Sequence, residues 1–183
     1  MFDTNIKVNS LEKLQNYINY VKKFSKMKTD KKFQKYIQNK CLNVVKQMCV
    51  TLLPNAGSND IGELTQLYID NNNIREATDG FIIYNNLSVS TDTDGYNGIF
   101  SIALAFEYGT GIVGENHPKA HAWEYNVKKH TKGWIYYKNG EFHFTRGFEG
   151  FEIYKLSAEE INKQLKNWVL EYDENNGGAS TLW

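Results

Sequence analysis

The sequence has few of the features that would narrow its class at once. Only two cysteines and two prolines occur among 183 residues, and 21 basic side chains balance 21 acidic ones. Cys41 and Cys49 lie eight positions apart on one predicted helix, too far apart for a disulfide. We therefore interpret them as buried thiols of a reducing compartment. The zero net charge provides no general attraction to nucleic acid or to an anionic membrane.

Signals for secretion, membrane insertion and known catalysis are also missing. No apolar N-terminal leader with a cleavage site occurs, and no apolar run approaches the length of a membrane span, which predicts a soluble, intracellular protein. No nucleophile elbow, phosphate loop or dinucleotide fingerprint is present. His117 and His121 are four residues apart, but Pro118 interrupts a helix there and no third ligand is in register. His130 and His143 add no metal-binding pattern, so we predict neither a metal site nor a cofactor.

Charge is unevenly distributed along the chain. Residues 11–46 contain ten lysines and two acids, whereas residues 59–107 contain eight acids and one arginine. A solvated lysine face on helices explains this pattern. Opposed patches that join subunits head to tail in a ring explain it as well.

Periodic apolar residues predict helices at both ends of the chain. A first helix follows the capping residues near Ser10, and a second runs from a cap at Asp30 to Pro54. A short helix is expected over about 61–69. A capping box over residues 157–160 opens a last helix. The predicted bounds are about 10–53 for the N-terminal helices and about 157–172 for the C-terminal helix, with 176–183 as a flexible tail.

The middle of the chain, about 80–147, has the composition of an antiparallel sheet. A strand near Phe81 is expected to pair with a strand from Ile99, and Asn139-Gly140 predicts the turn of a β-hairpin. Residues 114–132 are expected to form a protruding loop. The sequence thus predicts a single α+β domain over 1–175, with the long N-terminal and C-terminal helices packed on an antiparallel β-sheet.

The stretch from Ile99 to Gly111 lies at the centre of this prediction. Its apolar residues up to Phe106 indicate a buried central strand, and Gly109 and Gly111 allow a tight corner. For Glu107 we expect an ion pair or a backbone cap beside that corner. Pairing with another carboxylate such as Glu149, as in a glycosidase, is the alternative.

The motif Phe106-Glu107-Tyr108-Gly109-Thr110-Gly111 resembles the "V/F-E-F/Y-G-T-G" signature of the tail-completion, or head-tail joining, proteins of long-tailed bacteriophages. A long helix ending near a proline and a closing helix also match, over about residues 31–172. Gly133-Trp134-Ile135-Tyr136-Tyr137 and Thr145-Arg146-Gly147 are similar to forms from phages of clostridia and related Firmicutes. The chain departs from the family at residues 54–58, where many members have "P-V-D-T-G-x-L", and at 147–151.

The resemblance implies a non-enzymatic virion protein that is made in the bacterial host cytoplasm and located in the neck. It implies a ring, of six or twelve copies, between the head connector or stopper and the tail tube or terminator proteins, with non-specific contact to DNA in the lumen. The alternatives are a prophage-encoded protein that binds or cleaves glycans, and a small regulator with a basic helical face for nucleic acid. No membrane partner is expected.

The aromatic residues, 14% of the chain, indicate where partners would bind. Large exposed aromatic patches mark interfaces. Our hypothesis places the corner and the aromatic hairpin at subunit or neck contacts, through Phe106, Glu107, Tyr108, Gly109, Thr110, Gly111, Trp123, Trp134, Tyr136, Phe142 and Phe144.

Overall fold

The computed structural model describes residues 29–55, 62–78, 80–93, 96–111, 134–138 and 140–176, together with Lys22, Ser25 and Met27. The described residues contain four helices: α1 (Lys31–Leu52), α2 (Gly62–Asp70), α3 (Ile102–Tyr108) and α4 (Ile153–Asn175). They contain eight strands: β1 (Asn73–Ala77), β2 (Gly80–Tyr84), β3 (Ser88–Thr93), β4 (Tyr96–Ser101), β5 (Gly109–Gly111), β6 (Trp134–Lys138), β7 (Glu141–Thr145) and β8 (Gly147–Glu149).

The strands are arranged as antiparallel pairs. Within the described ranges, β1 pairs with β2, β3 with β4, β5 with β8, and β6 with β7, giving four two-stranded sheets. Three of the pairs are local hairpins; the β5–β8 pair joins distant parts of the chain. Together with the helices, these sheets confirm the predicted α+β class.

Contacts divide the chain into two compact units, residues 1–40 with 163–183, and residues 41–162. The single domain over 1–175 stays a prediction. The first predicted helix up to residue 21, the whole predicted loop over 114–132 and the predicted tail from residue 177 lie outside the described residues.

The first unit is held by contacts that include the predicted cap at Asp30. One Asp30 carboxylate oxygen accepts the backbone N–H of Lys32 at 2.8 Å, and the other accepts the hydroxyl of Tyr172 at 3.0 Å. These bonds lower the pKa of the Asp30 carboxyl. The Phe33 and Tyr172 rings meet edge to face, 5.1 Å between centroids. Lys40 pairs with Glu171 at 3.0 Å. The cap prediction is confirmed.

The second unit contains a core in which helices pack on strands. Val45 and Cys49 of α1, Tyr68 of α2, Phe106 of α3 and Ile153 of α4 are buried together. Ile83 of β2 and Phe148 of β8 pack against this cluster. Burial raises the pKa of the Cys41 and Cys49 thiols to about 11. Both are free and buried, as predicted.

Two predictions for the middle of the chain are wrong. The expected central strand from Ile99 to Phe106 ends at Ser101, and Ile102 begins α3. The Ser101 hydroxyl accepts the Leu104 N–H at 3.2 Å, an N-cap that turns the buried run into a helix. The expected pairing of the Phe81 and Ile99 strands is also absent, because each strand pairs with a nearer neighbour in sequence.

Candidate functional site

Phe106 lies at the centre of the second unit rather than on its surface. Its side chain is 1% exposed. Its ring centroid lies 4.8 Å from Tyr68, 6.0 Å from Phe148 and 5.8 Å from Phe151. The aromatic ring therefore joins α2, the β8 strand and the turn that precedes α4.

Glu107 caps the N-terminus of α4 from a distant part of the chain. One carboxylate oxygen accepts the backbone N–H of Tyr154 at 2.9 Å, and the other lies 3.3 Å from the N–H of Lys155. The first turn of a helix has N–H groups without intrahelical partners and the positive end of the helix dipole, so a carboxylate there is stabilised twice. The predicted backbone cap at Glu107 is confirmed.

The backbone of the same motif is hydrogen-bonded to the residues that precede α4. The Phe106 and Glu107 carbonyls accept the N–H groups of Phe151 at 2.7 Å and Glu152 at 3.2 Å. Gly150 sits so close that an added Cβ would lie 2.5 Å from the Glu107 carbonyl oxygen. Glu152 itself has a positive φ of 50°. We call this contact between residues 106–109 and 150–155 the clasp.

The β5–β8 pair continues the clasp towards the hairpin. Gly109, Thr110 and Gly111 pair with Glu149, Phe148 and Gly147, respectively. The corner predicted at Tyr108–Gly111 is thus a short strand, with Gly109 at φ 80° where α3 ends. Residues 112–146 leave and return through this pair, so both ends of the segment that includes the hairpin are fixed by the motif.

A buried polar cluster lies against the same core. Asn72 is 3% exposed, and its amide donates to the Tyr68 carbonyl at 3.0 Å and approaches the Cys49 sulfur at 3.7 Å. The Tyr154 hydroxyl donates to the Asn72 side-chain oxygen at 2.7 Å. Burial raises the pKa of both Tyr68 and Tyr154 above the usual range. Through the bonds of Asn72 to the Tyr68 carbonyl and the Tyr154 hydroxyl, this cluster joins α2 to α4.

Thr110 and Thr65 provide a matched pair of stability predictions. Both are buried, but the Thr65 hydroxyl donates to the Pro54 carbonyl at 2.7 Å, whereas the Thr110 hydroxyl has no hydrogen-bond partner. We expect Thr65→Val to lower the free energy of unfolding by about 1 kcal/mol, since it removes a bond and leaves a carbonyl unpaired. Thr110→Val is expected to leave it unchanged or raise it by up to about 1 kcal/mol. Urea titrations of the two variants check this, and a larger loss at Thr110 than at Thr65 would contradict it.

The β6–β7 hairpin has an exposed apolar face. Ile135 and Phe144 are directly paired, and Phe142 lies two residues along β7 on the same side. Their exposures are 67%, 60% and 79%. We call these three residues the hairpin face. An isolated two-stranded sheet is marginal in water, and apolar side chains this exposed are typical of an interaction surface.

The structure separates the predicted interface residues into buried and exposed groups. Phe106, Glu107 and Thr110 are buried and Tyr108 is half-buried, so these side chains contact their own fold. The hairpin contributes the exposed Phe142 and Phe144, and the backbones of Trp134 and Tyr136 lie in β6. Trp123 lies outside the described residues, as do His117, His121 and His130. A partner role for the motif stays a prediction, whereas Phe106 and Glu107 contact their own fold in the structure.

The carboxylate pair that a glycosidase would need does not fit Glu107. Both of its oxygens accept backbone N–H bonds, and its side chain is buried. Glu149 is exposed, in β8. Within the part of the chain that is described, no group of three or more His, Cys, Asp or Glu side chains could hold a metal ion. None of the described helices combines the length and apolar character needed to cross a membrane.

Sequence reasoning missed Gly150, Asn72 and Tyr154. Gly150 could have been noticed as the second glycine of Gly147-Phe148-Glu149-Gly150, since a glycine outside a turn indicates a close backbone approach. Asn72 stands in the run Asn71-Asn72-Asn73, which carries only a helix-end signal. Two of its partners, Cys49 and Tyr154, lie 23 and 82 residues away, and no local pattern identifies them.

Comparisons with known proteins identify no relative of this chain. No protein-family model, curated protein sequence or solved structure matches this chain.

Proposed function

We propose that this protein is a structural component of the neck of a bacteriophage or phage-tail-like particle, where a ring of its copies completes the tail and joins it to the head connector. The observation that carries the proposal is the motif Phe106–Gly111. Its residues match the signature of tail-completion proteins, and three of them have a clear structural role here. Phe106 fills the core, Glu107 caps α4, and Gly109 ends α3 at a positive φ.

The arrangement supports an assembly role over a catalytic one. The glutamate of the motif is engaged by backbone N–H groups, and the buried polar groups around Asn72 are bonded within the fold. The hairpin comes shortly before β8, the strand that pairs with the motif, and its exposed phenylalanines are suited to anchor a protein contact. In the proposed neck, this face would contact a neighbouring subunit, the connector or stopper, or a tail tube or terminator protein.

Electron microscopy and co-sedimentation with tails or tail tubes of the same source test the proposal. We expect wild-type protein to cap one end of each tube. The double variant F142S/F144S is expected to lose capping by at least about tenfold, because exposed aromatic anchors dominate interface energies. Ile82→Ser is the matched control, since Ile82 is 41% exposed on the β1–β2 hairpin.

Binding to cell-wall glycan in place of tube ends would contradict the proposal. Wild-type protein that leaves tube ends bare and is retained on cell-wall glycan through Phe142 and Phe144 would overturn the neck proposal. It would favour the glycan-binding alternative, in which aromatic rings stack on sugars.

A further inference from the structure

We draw no further inference here: the strongest candidate, the exposed apolar hairpin face on β6 and β7, carries none because nothing in the described part of the structure shows what covers it.

Discussion

Replacing Gly150 by alanine is expected to be among the most damaging single substitutions in this protein. The new Cβ would lie 2.5 Å from the Glu107 carbonyl oxygen, 2.6 Å from the Tyr108 carbonyl carbon and 2.8 Å from the Gly109 nitrogen. All three are backbone atoms, which cannot swing aside as the end of a flexible side chain can. We expect the free energy of unfolding to fall by about 3 kcal/mol or more, with a low yield of folded protein.

Gly140→Ala is the control for this prediction. Gly140 has a φ of +88° in the turn of the β6–β7 hairpin, and a Cβ there would meet nothing within 4 Å. Gly140→Ala is therefore expected to lower the free energy of unfolding by about 1 to 2 kcal/mol, from backbone strain alone. Urea titration of both variants measures the difference. If both variants lose the same free energy of unfolding, the backbone around Gly150 can move to accommodate the new Cβ, and the prediction is wrong.

Hydrophobic periodicity predicts the long helix and the hairpin well because both are defined by local signals. The apolar stripe from Phe33 to Leu52 is ended by Pro54, and α1 spans Lys31–Leu52 as expected. The predicted short helix corresponds to α2. The sequence Asn139-Gly140 predicts a two-residue turn, and in the hairpin Lys138 pairs with Glu141 as such a turn requires. Each of these elements has its start or turn encoded within a few residues.

The start of α4 shows where local signals are insufficient. The capping box at Ser157 predicts a helix from that residue, but α4 begins at Ile153 and the Ser157 hydroxyl is buried without a hydrogen-bond partner. The cap comes instead from Glu107, whose bond to Tyr154 spans 47 residues. A cap supplied across the fold overrides a weaker one in the sequence, and only the tertiary structure contains that information.

The sequence motif locates the candidate site, but it predicts only part of the structure and hydrogen bonding around Glu107. Apolar runs of six or seven residues fit a buried strand and a buried helix equally well, so the strand predicted before Glu107 is wrong and α3 lies there instead. For Glu107 the sequence leaves an ion pair and a backbone cap open, and the structure shows the cap. Its partner, the N-terminus of α4, depends on the β5–β8 pairing, which no local pattern indicates.

Replacing Glu107 tests whether this carboxylate is structural. Glu107→Ala removes both acceptors and leaves the Tyr154 and Lys155 N–H groups without the bonds that they now donate. We expect the free energy of unfolding to fall by about 3 kcal/mol, because bonds to charged groups are strong and the helix dipole loses its counter-charge. Glu107→Gln keeps one acceptor oxygen and is expected to lose about 2 kcal/mol. Urea titration measures both.

Glu159→Ala is the matched control, since Glu159 is exposed on the same helix and its removal should cost no more than about 0.5 kcal/mol. A Glu107→Ala variant as stable as Glu159→Ala would reject the cap role.

Glu107→Gln also distinguishes a structural role of Glu107 from a catalytic one. A catalytic carboxylate would leave a stable but inactive protein, whereas a cap leaves a less stable protein that still caps tails when kept cold enough to remain folded. The two substitutions together therefore decide whether the motif acts through the fold or through chemistry at its glutamate.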